Sequence, residues 1–187
     1  MDATSHTLKN KQPSCCMTTS EPIAEGKMAR VTIDFLYLDL RECDRCKGTN
    51  QQLESALPMI TQVLEASGFE VVVNKTHVQS EQQAAALGFA VSPTIRGNNR
   101  DIQFNWRETP CSPCSKGCAS EVSCREWEYS GQWYEIPPKE LMIRSILREV
   151  FGQPARVAPA AQATTEVSDN LKRFFAKQPQ TCCGTAG

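Results

Sequence analysis

Apolar positions along the chain indicate an alternation of strands and helices. The most apolar run, RVTIDFLYLDL from Arg30, is rich in β-branched and aromatic residues and predicts a strand covered on both faces. A helix ending at Gly68 and kinked at Pro58 follows, because apolar residues recur at three- and four-residue spacings: Leu53, Leu57, Ile60, Val63 and Leu64. FEVVVNKTHV then predicts a second buried strand, and SEQQAAALGF predicts a short helix capped by Ser80.

The second half of the chain begins with a predicted hairpin. VSPTIRGNNRDIQFNW holds two strand-like pieces around the turn Gly97-Asn98-Asn99. PPKELMIRSILREVFG predicts a helix that ends at Gly152. EVSDNLKRFFAKQ predicts a short amphipathic helix with Val167, Leu171, Phe174 and Phe175 on one face. Docking of this face back on the domain is favoured over contact with a membrane or a partner, because the helix is short.

These patterns predict one α/β domain with tails. Residues 1–29 read as a flexible tail, 30–152 as the domain with an insertion at 107–135, and 153–187 as a linker, a short helix and a tail. With 187 residues and 40% hydrophobic composition, one sizeable core is expected. The balance of 20 basic and 21 acidic residues argues against nucleic acid as a partner.

Cysteine usage depends on the compartment. No segment predicts a membrane span, and the first 28 residues contain no signal-peptide pattern, so a cytoplasmic location is expected. In a reducing compartment the ten cysteines indicate metal-binding, catalytic or redox-sensing thiols rather than a disulfide framework.

Cys43 and Cys46 form a C-x-x-C pair where the first strand gives way to a helix. The helix N-terminus and the nearby Arg41 and Arg45 favour the thiolate of Cys43, which is the predicted nucleophile. Cys46, one turn along the helix, is the predicted resolving thiol. A structural disulfide or half of a zinc site is the alternative.

The insertion carries its own group of cysteines in a C-x2-C-x3-C-x5-C pattern. Four thiolates can close a tetrahedral zinc site that orders a polar loop. A soft metal or metalloid bound by three thiolates, or a disulfide pair, stays open as an alternative. The candidate ligands are Cys111, Cys114, Cys118 and Cys124.

Two vicinal pairs lie in the tails, at Cys15-Cys16 and Cys182-Cys183. Adjacent thiolates can jointly hold a thiophilic ion such as Hg(II), As(III) or Cu(I), whereas a disulfide between them is strained. The alternative is that the tail cysteines are incidental.

The order of these features resembles the thioredoxin fold over residues 30–152, interrupted by the insertion. The features are Cys43-Asp44-Arg45-Cys46 at a strand-to-helix turn, Ser92-Pro93-Thr94, and the Gly-Asn-Asn turn. The chain is identified as a member of an uncharacterised bacterial family of thioredoxin-like proteins. The resemblance implies a cis Pro93 in the active site, where it presents the backbone of Ser92 to a docked partner. The chain departs from thioredoxins by lacking Trp before the pair and Gly-Pro within it.

Resemblance also extends to the tails. TCCGTAG is similar to the C-terminal end of mercuric reductases, and vicinal pairs on a thioredoxin-like domain resemble the arsenite metallochaperone of bacterial arsenic pumps. The leading expectation is dithiol–disulfide exchange through Cys43 and Cys46 in soft-metal or metalloid handling. The alternatives are a non-enzymatic metal(loid) chaperone or sensor and a zinc-stapled interaction module. Expected partners are a protein thiol or disulfide, or a metal(loid) transporter or reductase.

Overall fold

The computed structural model describes residues 28–103, 105–111, 122–152 and 166–176. These residues form seven strands and four helices. The elements are β1 (Ala29–Tyr37), α1 (Asp44–Ala66), β2 (Phe69–His77), α2 (Glu81–Ala86), β3 (Thr94–Gly97), β4 (Arg100–Asp101), β5 (Trp106–Pro110), β6 (Ser123–Tyr129), β7 (Gln132–Tyr134), α3 (Lys139–Phe151) and α4 (Asp169–Ala176).

A four-stranded sheet of order β2-β1-β3-β4 forms the centre of the fold. β1 runs parallel to β2, with Ala29 opposite Phe69, and antiparallel to β3, with Ile33 opposite Gly97. α1 joins the two parallel strands, and Ser80 caps α2 by accepting a hydrogen bond from the Gln83 N–H at 3.1 Å. The predicted α/β class is confirmed.

The main core lies between this sheet and the helices α1 and α3. Alternate residues of β1 point into it, because successive side chains of a strand face opposite sides. Fully buried apolar side chains from all three elements meet there, including Val31, Ile33, Phe35, Leu53, Ile60, Leu64 and Ile146.

β2 is more exposed than the sequence predicted. Within the described residues, β2 pairs only with β1, so it lies at the edge of the sheet. None of its residues is fully buried, and Val73 is 37% exposed. The apolar run FEVVVNKTHV therefore predicted the strand correctly but not its degree of burial.

A second sheet, of order β5-β6-β7, departs from the predicted hairpin. β4 has only two residues, and Trp106 belongs to β5 rather than to the strand that follows the Asn98-Asn99 turn. Trp127 of β6 is fully buried in the main core. The insertion therefore contributes to the core of the domain instead of forming a separate unit.

Helix α4 packs on the domain, as predicted. Leu171 is fully buried among Leu36, Leu38, Val78, Ala84 and Phe89. The Asn170 side chain accepts a hydrogen bond from the Ser123 N–H at 2.8 Å and donates one to the Ser123 carbonyl at 2.9 Å. Among the described residues, no helix is long and apolar enough to cross a membrane.

Candidate metal centre

Cys43 occupies the position immediately before helix α1. Its backbone is extended, and its Sγ accepts a hydrogen bond from the Cys46 N–H at 3.4 Å. The preceding loop is held by Asp39, whose Oδ1 accepts hydrogen bonds from the N–H groups of Arg41 and Glu42. The sulfur thus lies among the unpaired donors of a helix N-terminus, which favour a thiolate there.

Cys111 and Cys124 bring two more sulfur atoms to Cys43. The Cys43 Sγ lies 3.9 Å from the Cys111 Sγ and 3.8 Å from the Cys124 Sγ. All three atoms lie within 4.8 Å of one another, and all three residues are buried. We call Cys43, Cys111 and Cys124 the three-sulfur cluster.

The spacing of these sulfurs fits a shared ion better than a covalent bond. A disulfide needs a separation of about 2.05 Å, roughly half of the two measured distances. Two thiolates bound to one tetrahedral zinc ion, each at about 2.3 Å, lie about 3.8 Å apart. The cluster can therefore hold a soft metal ion or metalloid without large rearrangement.

Strands β5 and β6 carry the two distant cysteines. Cys124 lies in β6 opposite Thr109, and Cys111 follows the end of β5, where its N–H donates to the Val122 carbonyl at 2.8 Å. The antiparallel ladder therefore fixes the two sulfurs side by side. Their sequence distances from Cys43 are 68 and 81 residues.

Arg45 ties these strands to the start of helix α1. Its buried guanidinium donates to Thr109 Oγ1 at 2.7 Å and to the carbonyls of Pro110 and Cys124 at 3.3 Å, and it forms an ion pair with Glu135. Arg41, by contrast, is exposed. The sequence had grouped both arginines as stabilisers of the Cys43 thiolate, whereas these contacts make Arg45 a positioning residue for the cluster.

Cys46 lies beside the cluster but outside it. Its side chain is 1% exposed, and its Sγ lies 3.3 Å from the hydroxyl of Ser92. A side-chain hydrogen bond with Cys43 and burial raise the pKa of the Cys46 thiol far above its usual range. Both effects favour the protonated form of the Cys46 thiol.

The Ser92–Pro93 peptide bond is cis, as the resemblance implied. The surroundings of Ser92 differ from that expectation. Its carbonyl accepts a hydrogen bond from the Arg125 N–H at 2.8 Å, and its hydroxyl accepts one from the Leu38 N–H at 3.1 Å. Strand β6 thus already occupies one group of the Ser92 backbone, which the resemblance implied would be presented to a docked partner.

The predicted four-cysteine site is therefore divided between described and undescribed parts of the chain. Cys111 and Cys124 meet each other, as predicted, but they also meet Cys43, which the spacing did not predict. The other predicted ligands lie outside the described residues: Cys15, Cys16, Cys114, Cys118, Cys182 and Cys183.

Comparison with curated proteins and with solved structures gave no match. A family model described as a domain of unknown function (DUF2703) matches residues 31–146, which include every residue of the three-sulfur cluster. Since the match spans more than half of the 187 residues, the chain belongs to this family.

Proposed function

We propose that the protein binds a soft metal ion or metalloid through Cys43, Cys111 and Cys124. The observation that carries this proposal is the convergence of three buried sulfurs from distant parts of the chain, two of them 3.8 and 3.9 Å from the third. Thiolates are the ligands that Zn(II), Cu(I) and other soft ions prefer. As(III) and Hg(II) share this preference for sulfur.

The shape of the site supports a coordination number of three or four. Tyr37 and Leu40, both partly buried, pack against the cysteines and shield them from water. A three-coordinate species needs no further ligand, whereas a tetrahedral zinc ion takes one more donor, from the chain or from solvent.

Dithiol–disulfide exchange through Cys43 and Cys46 is the second candidate. It is supported by the C-x-x-C pair at a helix start, the neighbouring cis Pro93 and the likeness of the element order to the thioredoxin fold. Ion binding is favoured because Cys43 is fully buried, and because the Ser92 carbonyl is already bonded to the Arg125 N–H within the same chain. A protein disulfide that docks on the Ser92 backbone needs both groups accessible.

Ion titration of reduced protein tests the first proposal. The titrated protein is a variant of this chain in which four tail cysteines are changed to serine, so that they add no thiolates. These are Cys15, Cys16, Cys182 and Cys183. Zn(II) or arsenite should bind with one equivalent per chain. Changing Cys111 or Cys124 to Ser should weaken binding by about tenfold or more, because the loss of even an outer-shell partner costs about 10–100-fold.

Cys46→Ser is the matched control, because Cys46 is a buried cysteine in the same helix turn but lies outside the cluster. Serine keeps the backbone N–H and a side-chain donor at this position, so the variant should bind the ion with nearly the affinity of the parent protein. Equal losses in Cys46→Ser and Cys124→Ser, or no binding by the reduced parent, contradict the proposal. In an insulin-reduction assay, activity that requires both Cys43 and Cys46 would instead favour the second candidate.

A further inference from the structure

We infer that Cys46 controls release of the bound ion by forming a disulfide with Cys43, so that the thiol–disulfide balance around the protein decides whether the ion is held. The inference rests on the proposed ion binding and adds its regulation. The Cys43 sulfur is shared by two groups of cysteines: it lies beside Cys111 and Cys124 and also beside Cys46.

The two groups approach Cys43 from different elements. Cys111 and Cys124 come from the β5–β6 strands, whereas Cys46 lies one turn along α1. The Cys46 N–H points at the Cys43 Sγ, 3.4 Å away, so the two residues are in direct contact at the start of the helix. A sulfur that has entered a disulfide no longer carries the thiolate charge that a bound ion needs, so ion binding and the Cys43–Cys46 disulfide exclude each other.

The oxidant is a low-molecular-weight disulfide. The Cys43 thiolate attacks one sulfur of the disulfide; its bond to the ion breaks, a mixed disulfide forms and one thiolate leaves. Cys46 then gives its proton to the first released thiolate and attacks the Cys43 sulfur, which forms the Cys43–Cys46 disulfide and expels the second thiolate. The two cysteines lose two electrons in total, the external disulfide is reduced to one thiol and one thiolate that takes its proton from solvent, and one ion is released.

Burial determines how fast this reaction can occur but not where its equilibrium lies. Cys43 and Cys46 are 0% and 1% exposed. The attack therefore requires strands β5 and β6 and the start of helix α1 to separate transiently. Arg45, which bonds across that junction, opposes the separation. An equilibrium measurement therefore tests the inference independently of the opening rate.

Binding of the ion and formation of the disulfide must oppose each other reciprocally. Consider the ratio of the external disulfide concentration to the square of the external thiol concentration at which half of the protein has released its ion. At saturating ion, a tenfold increase in the free ion concentration should raise this ratio tenfold. The corresponding rise in the reduction potential of the Cys43–Cys46 pair is about 30 mV, since the couple transfers two electrons.

Glutathione buffers containing Zn(II) test this reciprocity, with bound zinc measured by equilibrium dialysis and disulfides mapped by mass spectrometry. Free Zn(II) is held constant. At a fixed ratio of reduced to oxidised glutathione, diluting both tenfold should then raise the ratio of disulfide-containing to zinc-bound protein about tenfold, because an intramolecular disulfide depends on the square of the thiol concentration. A mixed disulfide with glutathione would not respond to this dilution.

The matched variant is Cys46→Ser, with Cys46→Ala as a second substitution if the first folds poorly. Either should lose the dilution response, and Cys46→Ser, which keeps the backbone N–H and a side-chain donor beside Cys43, should bind zinc with nearly unchanged affinity. Dilution-dependent release that persists without Cys46, or a mapped bond from Cys43 to Cys111 or Cys124, overturns the inference and leaves the proposed binding intact. Reduced parent protein that binds no zinc overturns the inference as well.

Discussion

Individual residues of the site differ in how far the sequence revealed them. Cys43 and Cys46 were recognisable because a C-x-x-C pair sits where an apolar run meets a helical pattern. The meeting of Cys43 with Cys111 and Cys124 was not, because it depends on tertiary packing across 68 and 81 residues. Local spacing contains no information on such a contact, and grouping the insertion's cysteines by proximity in sequence pointed to a site of their own.

The sequence predicted that Arg45 stabilises the Cys43 thiolate, whereas its contacts in the structure position the cluster. Substitution of Arg45 tests this positioning role. Arg45→Met should remove the hydrogen bonds of the guanidinium to Thr109, Pro110 and Cys124 and its ion pair with Glu135. We expect the free energy of unfolding to fall by about 1–3 kcal/mol. The affinity for the ion should fall about tenfold, as for other residues that orient ligands. Denaturant unfolding and ion titration measure the two effects.

The control for Arg45 is Arg41→Met, which removes an exposed positive charge from the same helix start. It should change stability by no more than about 0.5 kcal/mol. Arg45→Lys keeps the charge but loses the planar set of donors, so it should remain impaired in affinity if positioning is the cause. Full recovery by Lys would show that charge alone acts there.

At the scale of elements, periodicity located the helices well and the strands less well. β1, α1, α2, α3 and α4 follow the predicted patterns. β2 has the apolar composition of a buried strand but lies at an edge, since composition does not reveal how many neighbours a strand has. The division between β4 and β5 was missed for a similar reason: Trp106 continues the apolar pattern, but its partner Trp127 lies 21 positions away in β6.

Helix α4 should contribute to the stability of the whole domain through one side chain. Leu171→Ala leaves a cavity among Leu36, Val78 and Phe89, so the free energy of unfolding should fall by about 2–5 kcal/mol. Lys172→Ala, on the exposed side of the same helix, should change it by no more than about 0.5 kcal/mol. Urea unfolding followed by circular dichroism gives both values. Equal stability of the two variants would mean that α4 separates from the domain before global unfolding.

In the whole molecule, the candidate site lies at the junction of the two sheets. Arg125 lies at this junction: its guanidinium is fully buried, pairs with Asp101 in strand β4 of the first sheet at 2.7 Å and lies 4.3 Å from the ring of Trp127 in the second sheet. The same residue's N–H bonds to Ser92 beside the cis peptide. The α/β class could be predicted from the order of elements. The junction could not, because it arises from packing of the insertion against the central sheet.

Because the cluster gathers α1, β5 and β6, an ion bound there should stabilise the folded domain against unfolding. Above the dissociation constant, each tenfold increase in free ion should add about 1.4 kcal/mol to the free energy of unfolding, provided that the unfolded chain binds it weakly. Cysteines that bind the ion equally well in the folded and unfolded states do not change the free energy of unfolding. Only the cluster, which is formed in the folded state, therefore contributes to the added stability. Thermal unfolding of reduced protein at several Zn(II) concentrations measures the slope. Cys46→Ser should keep that slope and Cys124→Ser should lose most of it, because only the second variant removes a sulfur of the cluster. If zinc leaves the melting temperature of the parent protein unchanged, or shifts it equally in both variants, the ion does not hold α1, β5 and β6 together.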